Sequence, residues 1–153
     1  TPHMGSFYEI LDLDGLHVPH IIYAPNLIEP KQIIPATSLV DVVPTLAGML
    51  GIEYLNTTMG RDVFIPAPEG ERMVYTQDAH NTNPPIGMVG KDYMLRMKLD
   101  GSSTKLHKLS EPTIDLSKQE PEKFEYLKNL TRGMYEFSLY QMYNNRPEQN
   151  IKP

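Results

Sequence analysis

The sequence predicts an α/β fold in which a buried strand and a helix are followed by a small antiparallel sheet packed under a long C-terminal helix. Residues 18–24 form a near-continuous apolar run, which is typical of a strand covered on both faces. Residues 72–109 contain short strand-like segments separated by glycine-containing turns, and apolar side chains recur at helical spacing after residue 117. Because a doubly covered strand needs neighbours, the sheet is expected to be larger than this chain supplies.

The first strand is followed by a predicted helix. A proline brackets the strand at each end, since proline has no N–H for the hydrogen bonds of a sheet. The helix covers residues 38–50, where apolar side chains recur every three or four positions, and Gly51 is a stop signal. A proline inside a helix costs about 3 kcal/mol unless it lies in the first turn. Pro44 therefore indicates a helix that begins late, near Asp41.

The second half of the chain is predicted to form an antiparallel sheet and one long helix. The side chains of Tyr93, Leu95 and Met97 alternate with a more polar set, as expected for a strand with one face in water. The closing helix should open at Ser117, with Glu120 completing a capping box. The predicted strands are residues 72–77, 86–89, 92–99 and 105–109.

Composition excludes several classes of protein. The chain has 153 residues, 40% of them apolar, which is enough for one domain with a buried core. Its net charge of -5 and its lack of a Lys/Arg cluster argue against nucleic acid or an anionic membrane as partner. Without cysteine it has no disulfide, thiolate zinc site or cysteine nucleophile. No apolar stretch approaches the roughly 20 residues of a membrane span, so no membrane segment is expected in this chain.

Three stretches, taken in order, carry a resemblance to a known family. The first reads His-Val-Pro-His-Ile-Ile-Tyr-Ala-Pro. The second combines Ser-Leu-Val-Asp-Val-Val-Pro-Thr with Leu-Gly-Ile and Gly-Arg-Asp-Val-Phe. The third is Lys-Leu-His-Lys-Leu with Pro-Glu and the helix beyond. They lie at residues 17–25, at 38–45, 50–52 and 60–64, and at 105–109 and 121–122. Together they resemble the C-terminal part of a sulfatase-type domain of the alkaline phosphatase superfamily, which includes arylsulfatases and lipoteichoic acid synthase-like phosphoglycerol transferases.

The resemblance implies an alkaline phosphatase-like fold and a division of the chain. Residues 1–16 would be an artificial boundary or a linker, and residues 17–70 the end of the sulfatase-type α/β core. Residues 71–143 would form a C-terminal subdomain of antiparallel sheet plus helix, and residues 144–153 a loose tail.

The same resemblance implies membership of a metal-dependent hydrolase of sulfuric or phosphoric esters that uses a divalent cation (Ca, Mn or Zn). The family's nucleophile and early metal ligands lie far upstream of the Val-Pro strand. At the start of this chain, Pro2 stands where the family's later metal motif has its ligating Asp, and proline offers no ligand atom. We therefore carry over no catalytic residue, no metal ligand and no cofactor, and we expect the chain to be inactive alone.

Two alternatives to this function stay open. One is a non-catalytic module that binds a partner protein, and the other is part of a phosphoglycerol transferase. The expected partners are a sulfate or phosphate ester in the complete enzyme and, through exposed sheet edges, further copies of the chain. The sequence does not fix the compartment; a periplasmic, extracellular or membrane-anchored parent protein is the expectation from the family.

Four side chains are candidates for substrate contact. His17 and His20 flank the proline at the start of the predicted strand, where an imidazole can touch a bound sulfate or phosphate. The alternative is a packed strand-end histidine, since no second ligand stands at metal spacing beside them. Asp78 and His80 belong to a polar cluster after an apolar strand, where substrate contacts often gather. A turn built by Asp and Asn side chains is the alternative there.

Overall fold

The computed structural model describes residues 18–67, 72–77 and 83–145, which contain two α-helices and four strands. The strands form one sheet, and the longer helix lies across it. This mixture of helix and strand confirms the predicted fold at the level of α/β. None of the described helices is long and apolar enough to cross a membrane. The predicted boundary segment 1–16 and residues 146–153 of the predicted tail lie outside the described residues.

The first helix, α1, spans Val42–Leu50 and follows a single 3₁₀ turn at Leu39–Asp41. Pro44 thus lies in the first α-helical turn, where backbone N–H groups have no partner inside the helix, so its missing proton costs no helical hydrogen bond. Gly51 ends α1 in the left-handed conformation, at φ 63°, which glycine adopts without steric strain. The predicted late start and the predicted stop are both confirmed.

The sheet is an antiparallel meander in the order β1-β2-β3-β4. Its hairpins close through backbone hydrogen bonds from Gly90 to Tyr93 (2.9 Å) and from Lys98 to Ser103 (2.8 Å). The strands are β1, Val74–Gln77; β2, Pro85–Val89; β3, Tyr93–Lys98; and β4, Thr104–Lys108. The predicted small antiparallel sheet is confirmed.

The core lies between one face of this sheet and the second helix, α2, which spans Pro121–Asn144. Leu95 and Met97 are two positions apart in β3, so they point to the same face, where they join Leu127 of α2 in one buried cluster. Burial of one such leucine or methionine side chain stabilises the fold by about 1.5–3 kcal/mol relative to exposure. The cluster consists of Ile86, Leu95, Met97, Leu106 and Leu127. The predicted packing of the sheet under a long helix is confirmed.

The start of α2 differs from the prediction. The helix begins at Pro121, not at Ser117, and no side-chain cap forms. The Glu120 carboxylate instead accepts a hydrogen bond from the Tyr93 hydroxyl at 2.9 Å. The N–H and hydroxyl of Ser117 both donate to the Asp115 carboxylate. Because both partners of the expected capping box are engaged elsewhere, the helix starts at proline, whose fixed φ suits the first helical position.

The outer edge of β4 is covered by the segment that follows it. The N–H of Leu116 donates to the carbonyl oxygen of Leu106 at 2.7 Å. The N–H of Leu106 donates to Asp115 Oδ1 and Ser117 Oγ, at 3.4 and 3.3 Å. This edge of the sheet is therefore closed by its own chain, which leaves β1 as the edge strand on the other side.

The predicted buried strand at residues 18–24 is wrong. The segment has no strand pairing, and Ile21 and Tyr23 are 83% and 87% exposed. A strand with two covered faces needs neighbouring strands to bond its backbone and layers above and below to cover its side chains. Within the part of the chain that the structure describes, this segment has neither a neighbouring strand nor a covering layer, so its apolar side chains are exposed to solvent.

Candidate functional site

A cleft of about 310 Å³ lies beside β1 and α2 and is the candidate site. One wall comes from the turn before α1 and the loop after it, and the other wall comes from the sheet and α2. Most of the lining is apolar and includes four methionines, whose flexible thioethers adapt to varied ligands. Its volume lies at the lower end of the range for ligand sites. The lining residues are Ser38, Val40, Asp41, Met59, Arg61, Met73, Val74, Tyr75, Met88, Tyr126, Leu130 and Met134.

Asp41, one of the two charged residues in this lining, is buried and ties the loop to the start of α1. Its Oδ2 accepts the N–H of Ser38 at 2.9 Å, and its Oδ1 accepts the N–H of Arg61 at 3.0 Å. Both carboxylate oxygens are thus engaged by backbone donors, in charge-assisted hydrogen bonds. Asp41 therefore holds the fold of this wall together.

Thr45 makes a second connection to the same loop. Its hydroxyl donates to the carbonyl oxygen of Asp41 at 2.6 Å and accepts the N–H of Val63 at 3.1 Å. Thr45 is fully buried, so the loss of either bond would leave a buried polar group without a hydrogen-bond partner, because water cannot reach it. We refer to this set of contacts, formed by Asp41, Thr45, Gly60, Arg61 and Val63, as the latch.

Gly60 allows the loop to come this close to the turn before α1. A Cβ atom at position 60 would overlap the carbonyl oxygen of Val40 and lie 2.6 Å from its carbonyl carbon. The side chain of Asn56 donates to the carbonyl oxygen of Gly60 at 2.6 Å and fixes the loop from the other side. Only glycine fits at this position without a shift of the backbone.

Replacing Asp41 with asparagine is expected to weaken the latch by about 2 kcal/mol. The amide keeps one acceptor oxygen but presents N–H donors to a second backbone N–H. Amide hydrogen exchange at Arg61 and Val63 should accelerate about 30-fold, the factor that corresponds to 2 kcal/mol. Asp92→Asn, at an exposed position, is the matched control. Equal exchange rates in the two variants would contradict the role of Asp41.

Arg61 is the second charged residue of the cleft. Its Nη2 donates to the carbonyl oxygen of Met73 at 2.8 Å, which holds the guanidinium at the end of β1. The side chain is exposed, and within the described residues its remaining N–H groups have no protein partner. Since the charge of Asp41 is engaged by backbone donors, Arg61 supplies the available charge of the cleft, and that charge is positive.

Tyr75 lines the cleft from β1. Burial of its phenol raises the pKa of Tyr75 from 10.0 to about 12, and the nearby Tyr135 adds to the shift. The hydroxyl donates to Gln77 Oε1 at 3.1 Å. The folded protein therefore holds the phenol proton more tightly than the unfolded chain does.

This raised pKa predicts a loss of stability at high pH. The contribution of Tyr75 is complete below pH 10.0, where the phenol is protonated in both states, and it falls as the pH rises towards about 12, because the unfolded chain ionises first. Tyr75→Phe should show a smaller decline of the urea midpoint over this interval. Equal declines in the wild-type chain and in Tyr75→Phe would contradict the prediction.

Within the described residues, two buried nitrogen atoms outside the cleft, Arg72 Nη1 and His107 Nε2, have no hydrogen-bond partner. Each of these two side chains is held in its buried position by hydrogen bonds from another of its nitrogen atoms. Arg72 Nη2 donates to the carbonyl oxygens of Asp62 and Ile65, at 3.2 and 2.6 Å, and so holds the loop after the latch. His107 Nδ1 donates to the carbonyl oxygen of Ile114 at 2.9 Å and supports the segment that covers β4.

Of the four candidates for substrate contact, the structure describes His20. His20 is exposed in an irregular segment and does not line the cleft. His17, Asp78 and His80 lie outside the described residues. Sequence reasoning missed the roles of Asp41 and Arg61 here. The signal that points to them is an Asp and a Thr one helical turn apart, followed later by Gly-Arg-Asp.

The described residues do not offer a metal centre. They contain no group of three or more His, Asp or Glu side chains that would hold a metal ion. The carboxylate in the cleft is already bound by two N–H groups. This donor set does not fit the divalent cation that the resemblance implies, so no metal ligand is assigned.

Comparison with known proteins adds no relative: no protein-family model and no curated protein matches this chain. The latch connects residues 38–45 with residues 60–64.

Proposed function

We propose that the chain is the C-terminal scaffold of a sulfatase-like, metal-dependent hydrolase of sulfuric or phosphoric esters, and that it is inactive alone. The latch is the observation that carries this proposal. It binds residues 38–45 to residues 60–64, so it gives a physical reason for the occurrence of both motifs in one chain. The antiparallel sheet and long C-terminal helix, in the order expected for the family, also support it.

The outward face of α1 supports a scaffold role. Leu39, Val43, Leu46 and Leu50 follow one another at intervals of four, three and four, so they form one stripe along the helix. They are 40% to 75% exposed, whereas Thr45 on the latch side is fully buried. A contiguous apolar surface of this kind is typical of a face that another layer covers. In the proposed enzyme, that layer is the larger parallel sheet of the core.

The chemistry of the complete enzyme would reside outside the described residues. A divalent metal would activate the nucleophile and neutralise charge on the transferred group. The described residues hold no donor cluster for that metal, so we assign no catalytic step to the described part of this chain. Its contribution is to hold the C-terminal sheet and helix in place and to supply one wall of the substrate cleft.

The proposed inactivity is tested by incubating the purified chain with an aryl sulfate and an aryl phosphate, each with Ca, Mn or Zn. We expect no turnover above that of the same mixture without protein. Turnover that purifies with the chain would overturn the proposed inactivity.

The activity of the parent protein is tested by the reading frame upstream of Thr1. By the family resemblance, a Cys or Ser in a Cys/Ser-x-Pro/Ala-x-Arg context would identify a sulfatase, and a Thr nucleophile behind transmembrane helices would identify the transferase. The absence of both motifs would overturn the proposal.

A second candidate, a free-standing module that binds a partner protein, is favoured by the same exposed stripe. The scaffold and the free-standing module differ in expected self-association, because a scaffold without its covering layer should associate through the exposed stripe of α1, whereas a free-standing module should be monodisperse. Light scattering after size-exclusion chromatography should therefore show oligomers of the wild-type chain and monomers of Leu46→Lys. Leu55→Lys, also at an exposed leucine but outside the stripe, is the matched control. A monodisperse wild-type chain would favour the module.

A further inference from the structure

We propose that the open edge of β1 and the cleft beside it bind an extended segment of a partner protein. The segment adds a strand to the four-stranded sheet and carries an apolar residue followed, two positions later, by an acidic one. This inference does not depend on the scaffold function, since it is argued from the backbone of Tyr75 and the side chain of Arg61 and not from the latch or the exposed stripe of α1.

The hydrogen-bond register determines which backbone groups of β1 face outward. Paired residues of antiparallel strands alternate between hydrogen-bonded and non-bonded pairs. Leu106 uses its N–H and C=O on residues 115–117, outside the sheet, so its pair with Leu95 is non-bonded. Leu95 therefore bonds Met88 on its other side, and the pair of Met88 with Tyr75 is non-bonded. The N–H and C=O of Tyr75 consequently point away from the sheet.

These outward groups are available to another chain. Within the described residues, no hydrogen bond from outside the sheet reaches the backbone of Tyr75 or Gln77. β1 reads Val-Tyr-Thr-Gln and has neither the charge nor the proline that blunts many edge strands. Because the edge of β4 is covered by its own chain, β1 is the side on which this sheet accepts a further strand.

The cleft receives side chains from one face of the added strand. Met73, which directly precedes β1, and Tyr75 lie two positions apart, and both line the cleft together with Met88 and Leu130. A residue opposite Tyr75 places its side chain into this space of about 310 Å³. Since the surrounding side chains are mostly apolar, an aliphatic or aromatic residue fits there.

Arg61 selects the next side chain on the same face. Its guanidinium is held at the carbonyl oxygen of Met73, two positions from Tyr75, with further N–H groups free of protein partners in the described residues. A carboxylate opposite Met73 can accept a charge-assisted hydrogen bond from it. In an antiparallel strand, the residue opposite Met73 comes two positions after the residue opposite Tyr75, which gives the order apolar-x-acidic.

The test uses the full chain, labelled with ¹⁵N, and the blocked peptide Ac-Thr-Thr-Leu-Thr-Glu-Thr-NH2. Binding should shift the Tyr75 amide resonance and slow its hydrogen exchange, while the amide of Leu106, on the covered edge, stays unchanged. N-methylation of the peptide's leucine nitrogen removes the donor to the Tyr75 carbonyl and keeps the side chain. We expect this change to weaken binding about tenfold or more.

Charge recognition is tested by Arg61→Gln, which should weaken binding of the peptide about tenfold. The same variant should bind the peptide with Glu replaced by Gln no worse than the wild-type chain does, because both changes remove one shared interaction. Arg132→Gln, at an exposed position of α2 outside the cleft, is the matched control and should bind normally. The amide spectrum of each variant verifies that it is folded.

Four outcomes of the peptide-binding experiments would overturn the proposal. They are no binding to the folded chain, binding that tolerates N-methylation, equal effects of Arg61→Gln and Arg132→Gln, and an unperturbed Tyr75 amide. A dimer paired through β1 that the peptide does not dissociate would also overturn it, since the edge would then belong to a second copy of the chain.

Discussion

Gly60→Ala is expected to destabilise the first half of the chain by about 3 kcal/mol. The added methyl group would overlap the carbonyl oxygen of Val40, a backbone atom that cannot rotate away. The loop must therefore move off α1, and the hydrogen bonds from Arg61 to Asp41 and from Val63 to Thr45 are lost with it. Amide hydrogen exchange at Arg61 and Val63 measures the opening of the latch directly, and urea unfolding measures its effect on the whole chain.

Gly133→Ala provides the matched comparison. Gly133 lies in α2, and a Cβ atom there would meet nothing within 4 Å. Alanine is favoured over glycine inside a helix by about 0.5–1 kcal/mol, so this variant should be slightly more stable than the wild-type chain. If Gly60→Ala also leaves hydrogen exchange at Arg61 and Val63 unchanged, a side chain is tolerated at position 60 without opening of the latch, and the prediction is contradicted.

The elements that the sequence predicts correctly depend on local patterns. The four strands follow from short alternating runs between turn residues, and α1 follows from its apolar period with a proline in the first turn. These signals are local, because the hydrogen bonds of a helix or a hairpin join residues that are near in sequence. The two wrong predictions, the strand at residues 18–24 and the start of α2, concern segments whose structure depends on contacts with residues distant in sequence. Residues 18–24 read as a strand but find no neighbour in the described part of the chain, and Glu120 is engaged by Tyr93 rather than by a helix cap.

The candidate site could be predicted only in part for the same reason. The spacing of Asp41 and Thr45 places them one helical turn apart, but the loop they bind begins at Gly60, and no periodicity connects the two segments. The cleft adds the sheet and α2 as a further wall. The histidines at 17, 20 and 80 attract interest because of their chemistry. The groups that shape the cleft are a backbone edge and side chains from distant segments, which become neighbours only through the packing of the sheet under α2.

That packing depends most on the centre of β3. Leu95 is fully buried between its cross-strand partners Met88 and Leu106, under α2. Leu95→Ala should lower the free energy of unfolding by about 2–5 kcal/mol, because it removes buried methyl groups and leaves a cavity that strands held on both sides cannot close. Since Met88 also lines the cleft, the variant should loosen that wall, seen as broadened methyl resonances of the lining methionines.

Leu55→Ala removes the same atoms at an exposed position and is expected to change the free energy of unfolding by less than about 0.5 kcal/mol. Urea unfolding followed by circular dichroism compares the two on one scale. The contrast separates the burial of the side chain from the loss of leucine itself. Similar small effects of both substitutions would mean that the sheet and α2 are held together elsewhere, and that the cleft wall at Met88 does not depend on this core.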